Sequence, residues 1–270
     1  MPTSTLKIIS FNIGMGILNV RMERGWLRNP LLRRVRGIKP SLEHTFEQRE
    51  WLRNVDILGL QEVCLADNGQ IPYFANVFRP RGIDVNHHAG PERLGATNDC
   101  DKGQATLTRF PIRASGRLQL PRVGSHRATI WSDIEVAGLR GARGSLLRVY
   151  NIHLSNRDGS NLTPTEGRAR QVRVVLDHAH ALEAECPGAP VVLLGDFNSI
   201  SRLLRPSQQE ESIRSVKQTF QSAIRRFQST MVLPYMADWI FYRHLRLASA
   251  GIEHVTYSDH YPVAAIFALD

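Results

Sequence analysis

Cysteine and long apolar runs are scarce in this chain of 270 residues. The three cysteines, Cys64, Cys100 and Cys186, are too far apart for a CxxC pair, which argues against a disulfide framework or a structural zinc site. No apolar run reaches the roughly 20 residues that a membrane-spanning helix needs. The first residues also lack the basic and apolar regions of a signal peptide. We therefore expect a reducing compartment, the cytoplasm.

Two motifs of phosphate and acyl chemistry are missing as well. The chain has no GxxxxGK[ST] phosphate loop and no GxSxG nucleophile elbow, which argues against a nucleoside triphosphatase or a serine hydrolase. Acidic residues are in the minority, with 25 Asp and Glu against 34 Lys and Arg, for a net charge of +9. A surface of this sign favours anionic partners such as nucleic acid, acidic lipid headgroups or phosphorylated small molecules.

Short apolar segments recur along the chain and predict β-strands, because they are rich in Val, Ile and aromatic residues. The predicted strands are Leu6–Ile13, Val55–Leu60, Gly103–Thr108, Ala128–Val136, Leu146–Leu154, Val191–Leu194, Trp239–Tyr242 and Val263–Leu269. Apolar residues at helical spacing predict an amphipathic helix over Thr165–Glu185 and a second over Leu42–Arg53. Strands with interspersed helices predict an α/β protein, in which two sheets pack face to face with helices outside.

Two regions read as additions to a single domain that spans residues 1–270. The first, at about residues 14–40, holds six arginines and Lys39 against one glutamate. Within it, the segment NPLLRRVRG predicts a short helix, with Asn29 as N-cap, Pro30 at the first position and Gly37 as terminator. The second, at about residues 201–234, is polar and rich in Gln and Ser, and we expect it to be variable.

Polar residues that can carry chemistry lie at the ends of six predicted strands or beside them. They are Asn12, Glu62, Asn151, His153, Asp196, Asn198, Asp238, Asp259 and His260. One such residue is usually a solvated loop residue or a satisfied core histidine, but six repeats are hard to reach by chance. We therefore predict that these strand ends meet in one acidic, imidazole-bearing pocket. Its oxygen donors suit Mg²⁺, Mn²⁺ or Ca²⁺ rather than zinc, and an Asp–His pair suits general-base activation of water.

The ordered series SFNIG, LQEV, NIHLSN, GDFNS, DWIF and SDHYPV resembles the endonuclease/exonuclease/phosphatase superfamily, the group of deoxyribonuclease I. The series runs from Asn12 to His260 and so spans nearly the whole chain. The resemblance implies a four-layer α/β sandwich, in which two packed mixed β-sheets are flanked by helices. It also implies a divalent metal, usually Mg²⁺ with Mn²⁺ as the alternative, and hydrolysis of a phosphoester by in-line attack of water.

The same resemblance implies which residues hold the metal and the phosphate. Glu62 is similar to the main metal ligand of the family, and Asn12 to its neighbour, which helps to hold metal or phosphate. Asp259 looks like an additional metal or polarising carboxylate, and Arg127 resembles an arginine that reaches the phosphate. We expect Gly195 to let the backbone come close to the phosphate.

The catalytic residues implied by the resemblance lie in the later motifs. Asp196 and Asn198 look like the pair that orients the attacking water and binds the phosphate. His260 looks like the catalytic histidine, with Asp238 as its orienting partner. His153 matches the second histidine of the deoxyribonuclease I-like and sphingomyelinase-like branches, where it contacts the phosphate, although the sequence offers no obvious carboxylate partner for it.

The residues leave the substrate open between three interpretations. The basic charge favours hydrolysis of DNA or RNA, because backbone phosphates reward arginines through counterion release. The leucines of the NPLLRRVRG segment are able to touch lipid, which keeps a phospholipid, sphingomyelin or inositol-phosphate phosphoesterase as the alternative. The third interpretation is a non-catalytic binding module, against which the complete set of motif residues argues. No feature of the sequence points to a protein partner.

Overall fold

The computed structural model describes residues 4–14, 54–65, 71, 86–91, 102–123, 126–156, 164–202, 209–254 and 258–269. Twelve strands and two longer helices lie within these residues. The strands are β1 (Ser4–Asn12), β2 (Ile57–Cys64), β3 (Asn86–Pro91), β4 (Lys102–Thr108), β5 (Ile112–Gln119), β6 (Ala128–Glu135), β7 (Leu146–His153), β8 (Val191–Arg202), β9 (Gln221–Ser222), β10 (Tyr235–Arg243), β11 (Arg246–Ile252) and β12 (Val263–Leu269). The helices are α1 (Pro164–Glu185) and α2 (Glu211–Lys217).

The strands form two mixed sheets of six strands each, which confirms the prediction of two packed mixed sheets. The first sheet has the order β11-β12-β1-β2-β4-β3, and the second has the order β5-β6-β7-β8-β10-β9. Each sheet has one parallel pair at its centre, β1 with β2 and β7 with β8. All other neighbours are antiparallel. The two sheets therefore share one plan, in which the central strands of each end at the same edge.

The sheets pack face to face over an apolar core to which both contribute buried side chains. Gly59 of β2 lies against Leu194 of β8, where an added Cβ would come within 2.1 Å of Leu194 Cδ1. Asn151 of β7 crosses the core, and its Nδ2 donates to the carbonyls of Leu60 and Ala105 at 3.1 and 3.0 Å. Asn151, one of the predicted pocket residues, thus serves to join the two sheets.

Helix α1 covers the outer face of the second sheet. Adjacent residues of a strand point to opposite faces, so Tyr150 points away from the core that Asn151 crosses, and its hydroxyl lies 2.7 Å from Nδ1 of His178 in α1. The predicted helix over Thr165–Glu185 is confirmed, and its apolar face is buried: Val172, Val175, Leu176, Ala179 and Leu182. Among the described residues, no helix is long and apolar enough to cross a membrane. The helices predicted at 29–37 and 42–53 lie outside the described residues.

The polar segment at about 201–234 supplies part of the second sheet where the structure describes it. It contains α2, which packs on α1, and β9, which is an outer strand. Five of its apolar side chains are buried in the main core: Ile213, Val216, Phe220, Ala223 and Ile224. These residues are spaced among polar ones, and their burial ties the segment to the rest of the fold.

Strand β8 is longer than the predicted strand Val191–Leu194, because the segment GDFNS continues it to Arg202. Gly195 has a φ of 141°, and an added Cβ would lie 1.9 Å from the carbonyl oxygen of Ile152 in β7. The glycine is therefore needed where the two parallel strands approach each other. This contact accounts for the glycine, and the expected approach of a phosphate to its backbone stays a prediction.

Asp133 of β6 is buried on the second sheet and is held by two arginines. Arg148 donates to both of its oxygens at 2.5 and 2.9 Å, and Arg143 donates to both at 2.8 Å. Burial alone would raise the pKa of Asp133, but the hydrogen bonds and charges of Arg148 and Arg143 outweigh it and lower the pKa below 3.8. The carboxylate is thus ionised and contributes stability at neutral pH.

Replacing Gly195 by alanine should lower the free energy of unfolding by about 3 kcal/mol or more, because the new Cβ meets backbone that cannot move aside. Urea unfolding followed by circular dichroism measures the loss. Gly251→Ala in β11 is the matched control, since a Cβ there meets nothing within 4 Å, and its effect should stay within about 0.5 kcal/mol. Equal unfolding midpoints for the two variants would contradict the role given to Gly195.

Replacing Asp133 by asparagine should cost about 3 kcal/mol at pH 7, because two arginines lose their buried countercharge. The folded pKa of Asp133 is lowered, so its contribution is present above 3.8 and is lost as the pH falls through the folded pKa. The difference in unfolding free energy between the wild type and Asp133→Asn should therefore shrink between pH 7 and pH 3. A difference that stays constant over this range would show that the charge of Asp133 is not what stabilises the fold.

Candidate active site

The predicted pocket residues meet at one edge of the core between the sheets. Asn12 ends β1 and Glu62 lies near the end of β2, both in the first sheet. His153 ends β7, and its register partner in β8 is Asp196. Because the carboxyl ends of parallel neighbours lie at the same edge of a sheet, each sheet contributes two of these side chains. Because the two sheets pack face to face, the four side chains come together at this edge.

Asp196 is the centre of the cluster and is only 1% exposed. Its Oδ2 accepts a hydrogen bond from Asn12 Nδ2 at 2.9 Å, and its Oδ1 accepts one from the backbone N–H of Asn198 at 2.8 Å. Burial alone would raise the pKa of Asp196, but the nearby histidines, His260 and His153, and these two donors outweigh it and lower the pKa below 3.8. The carboxylate is therefore ionised at neutral pH.

The side-chain directions of two site residues are set by irregular backbone conformations. Glu62 and Asn198 have positive backbone φ angles of 56° and 48°, a conformation that is uncommon for residues other than glycine. The pairing of β2 with β4 shifts register at Glu62, and the pairing of β8 with β10 shifts between Asp196 and Ser201. Such bulges re-aim side chains and are common beside active sites. Among the described residues, two of the three non-glycine positions with positive φ thus belong to the cluster, and the third, His244, lies outside it.

His153 lies between two carboxylates. Its Nε2 is 3.7 Å from Glu62 Oε1 and 3.6 Å from Asp196 Oδ2. Its Nδ1 is 3.4 Å from Nη1 of Arg127, which is itself buried. The structure thus provides the carboxylate neighbours that the sequence did not reveal. It also places Arg127 inside the cluster rather than on the surface.

His260 and Asp238 form a buried hydrogen-bonded pair. His260 Nδ1 is 2.9 Å from Asp238 Oδ2, and His260 Nε2 is 3.9 Å from Asp196 Oδ2. Burial alone would lower the pKa of His260, but Asp238 and Asp196 outweigh it and raise the pKa well above 6.5. Burial raises the pKa of Asp238 to about 6, against the pull of His260. At neutral pH the imidazole is therefore the protonated member of the pair, and its Nε2 faces the cluster.

Two hydroxyl residues that the sequence did not single out hold this pair. Thr230 Oγ1 accepts the backbone N–H of Asp238 at 3.0 Å. Ser258 Oγ accepts the backbone N–H of His260 at 3.1 Å and donates to the carbonyl of Asn12 at 2.8 Å. Ser258 stands inside the motif SDHYPV, whereas Thr230 lies in a polar segment without any pattern. The sequence could therefore have indicated Ser258, through its position in the motif, but it held no signal for Thr230.

Asp259 lies at the rim of the cluster and is exposed. An added Cβ on Gly14 would be 3.8 Å from Asp259 Oδ1, which places the carboxylate beside the turn that follows Asn12. The predicted third metal residue therefore borders the site without entering its buried part.

The chemistry of the cluster fits a hard divalent cation. Glu62 and Asp196 present carboxylate oxygens toward the same His153 nitrogen, and Asn12 adds an amide group beside them. The Glu62 side chain is 19% exposed and is therefore reachable from solvent. Oxygen donors of this kind suit Mg²⁺ or Mn²⁺. Asp196, Asp238 and His260 also place ligand atoms within 4.8 Å of one another, but the hydrogen bond within the Asp238–His260 pair would have to break to bind an ion there.

The fold is shared with solved structures of other proteins. The fold is similar to the human Nocturnin catalytic domain with bound sulfate anion, at 18% identity and a TM-score of 0.66, covering 98% of this chain and 94% of that chain. It is similar to truncated Caenorhabditis elegans TDP2, at 18% identity and a TM-score of 0.60, covering 98% and 97% of the two chains. It is also similar to ANGEL2, a 2',3'-cyclic phosphatase in complex with adenosine-2',3'-vanadate, at 14% identity and a TM-score of 0.67, covering 100% and 97%.

No curated protein matches the sequence. The sequence does match the profile of the Endonuclease/Exonuclease/phosphatase family over residues 9–260, which include every predicted site residue from Asn12 to His260. A match of this length shows the family, so this chain belongs to the endonuclease/exonuclease/phosphatase family of phosphoester hydrolases.

Proposed function

We propose that this chain is a metal-dependent phosphodiesterase that hydrolyses nucleic acid by in-line attack of water on a backbone phosphate. One observation carries the proposal. A buried, ionised carboxylate, Asp196 Oδ2, lies 3.6 Å from His153 Nε2 and 3.9 Å from His260 Nε2. A carboxylate that can accept a proton from water thus stands between two imidazole N–H groups that can donate hydrogen bonds to a phosphate, and in-line attack of water at phosphorus uses both.

In the proposed reaction Asp196 orients the attacking water. An ionised carboxylate accepts a hydrogen bond from water, turns the water lone pair toward phosphorus and takes up the proton that the water loses. Asn12 and Asn198 donate to this carboxylate and fix its direction. Asn198 also donates from Nδ2 to the carbonyl of Leu154 at 2.9 Å, which holds its own amide in place beside the phosphate.

The two histidines and Arg127 serve the phosphate in this proposal. His260 holds a proton at neutral pH and donates it as a hydrogen bond to a phosphate oxygen, where negative charge grows in the transition state. Asp238 keeps the His260 ring in the orientation that points Nε2 inward. His153 Nδ1 faces the guanidinium of Arg127, which can only donate, so the ring accepts there and donates a hydrogen bond from Nε2 to a phosphate oxygen. Arg127 adds a fixed positive charge beside it, and the leaving oxygen takes its proton from solvent water.

Glu62 and Asn12 would hold the Mg²⁺, or Mn²⁺ in its place, with Asp259 at the rim as a further carboxylate. When bound, such an ion polarises the phosphoryl oxygen and neutralises part of its charge. The positive φ of Glu62 supports this assignment, because the strained backbone turns the carboxylate toward the cluster.

Nucleic acid is the substrate class that the charge and the comparisons support. The net charge of +9 favours a polyanion. The similar structure of ANGEL2 contains adenosine-2',3'-vanadate, a nucleoside derivative. Anionic lipids or inositol phosphates are attracted by the same charge, so an activity panel has to include them. The cytoplasmic location expected from the sequence stays a prediction.

The decisive test compares wild type and Asp196→Asn on single-stranded DNA, plasmid DNA, RNA, sphingomyelin and inositol phosphates, with Mg²⁺, Mn²⁺ or EDTA. We expect metal-dependent cleavage of a polynucleotide by the wild type, and a kcat lowered by about 10³ in Asp196→Asn, because the group that accepts the proton of the water is gone. Asp177→Asn, an exposed acid of α1, is the matched control and should keep the wild-type kcat.

Three results would contradict the proposal. Near-normal turnover by Asp196→Asn would remove the carboxylate from the mechanism. Cleavage of a lipid or an inositol phosphate while every polynucleotide survives would replace the substrate class. Failure to hydrolyse even bis(p-nitrophenyl) phosphate with either metal would indicate a binding module.

Asp238→Asn should lower the pKa of His260, because Asp238 is the largest favourable influence that raises it. In the metal-free protein with EDTA, titration of the histidine ring signals by NMR should show a His260 pKa well above 6.5 in the wild type and a lower one in Asp238→Asn. Asp177→Asn again serves as the control that leaves the titration in place. If both variants titrate like the wild type, Asp238 does not set the protonation of His260.

A further inference from the structure

Val232 and Leu233 are the exposed large hydrophobic residues of the described part of the chain, at 50% and 47% exposure. They form the tip of the loop of residues 229–235 and are called the apolar tip here. One exposed leucine on a protein surface is ordinary, but two neighbouring ones beside a buried catalytic cluster call for a physical reason.

The loop that carries the apolar tip is closed on itself. Ser229 Oγ lies 2.9 Å from the carbonyl of Met231, 2.8 Å from that of Leu233 and 3.2 Å from that of Tyr235. The backbone N–H of Tyr235 donates to the carbonyl of Leu233 at 2.6 Å, and Pro234 between them fixes its own φ. These bonds hold the two side chains outward.

The loop is also anchored to the segment that carries His260. The backbone N–H of Val232 donates to the carbonyl of Asp259 at 2.9 Å, and the carbonyl of Thr230 accepts the N–H of Tyr261 at 2.7 Å. Thr230 additionally accepts the backbone N–H of Asp238, the partner of His260. The apolar tip therefore has a fixed position relative to the catalytic pair.

The apolar tip is within reach of a substrate whose phosphate is bound at His260. Met231 forms an antiparallel bridge with His260, which sets their Cα atoms about 5 Å apart. The apolar tip begins at the next residue. A base on the nucleotide whose phosphate is bound at His260 would therefore lie next to the apolar tip.

A nucleobase fits this position better than a lipid surface does. The two side chains together have about half of the carbons of a myristoyl chain, and a whole myristoyl chain gives only marginal membrane binding. A nucleobase, by contrast, is a flat ring with apolar faces that a sugar joins to the phosphate. A base inside a duplex covers its faces with its neighbours, so only an unstacked base can lie on the apolar tip.

We propose that Val232 and Leu233 form a subsite for the unstacked nucleobase next to the scissile phosphate, so that the enzyme prefers single-stranded nucleic acid. This inference rests on the proposed function and adds the form of the substrate to it. The apolar tip acts in binding rather than in the chemical step, because it contacts the base and not the reacting atoms.

The test measures KM and kcat on a single-stranded oligonucleotide and on an oligomer of the same length whose sugars carry no bases. The wild type should show a KM about tenfold lower for the base-bearing substrate, the size of effect expected from covering two aliphatic side chains. In Val232→Ser/Leu233→Ser the ratio of the two KM values should fall to about one. The KM for the base-bearing substrate should rise, and kcat should stay unchanged. The conservative exchange Val232→Leu/Leu233→Val should recover most of the ratio. Arg140→Ser, in the loop between β6 and β7 and outside the cluster, should keep the wild-type ratio.

Several outcomes overturn this inference, and they differ from failure of the proposed function. If the wild type cleaves no polynucleotide, the proposed function itself fails. If it cleaves polynucleotides while the serine variant keeps the tenfold ratio, only the subsite fails. A melting temperature lowered by several degrees in the serine variant would show that the pair packs inside the protein. Loss of binding to phosphatidylserine vesicles in that variant, with the ratio kept, would assign the apolar tip to a membrane.

Discussion

Burying an ionised carboxylate between two sheets costs several kcal/mol unless donors surround it. The position of Asp196 therefore constrains much of the site. Asn12 reaches it from the first sheet, and Asn198 reaches it from two residues further along the same strand. His153 and His260 place ring nitrogens 3.6 and 3.9 Å from its Oδ2. Each of these contacts joins a different part of the chain to one carboxylate. The same donors that make the buried carboxylate tolerable in the core also lower its pKa and keep it ionised at neutral pH.

The central strands were predictable from the sequence, and the outer strands were not. All eight predicted strands are present, as β1, β2, β4, β6, β7, β8, β10 and β12. The strands without a prediction are β3, β5, β9 and β11, which are the four outer strands of the two sheets. An outer strand pairs on one side only and here covers little of the core, as in β5, where three consecutive residues are exposed. Such a strand needs no apolar run, so composition gives no signal for it.

The site shows a similar division. The order of the motifs indicated which residues meet, because side chains such as Glu62 and His153 stand where apolar strands end. The sequence did not indicate how they are aimed. The positive φ angles of Glu62 and Asn198 and the register shift of β8 depend on pairing with other strands, which no local pattern encodes. The contribution of Thr230 was equally hidden, because one hydroxyl in a polar loop looks like any other.

The position of β1 in the middle of its sheet has a consequence for how the chain folds. One edge of β1 pairs with β2, but the other pairs with β12, from Ser4 opposite Leu269 to Ser10 opposite Val263. Closing so long a loop is entropically costly and slow, and until it closes an apolar strand keeps an open edge on which other chains can aggregate. The same closure brings Ser258 to the carbonyl of Asn12. Completing the first sheet and completing the cluster therefore depend on the same closure of the chain.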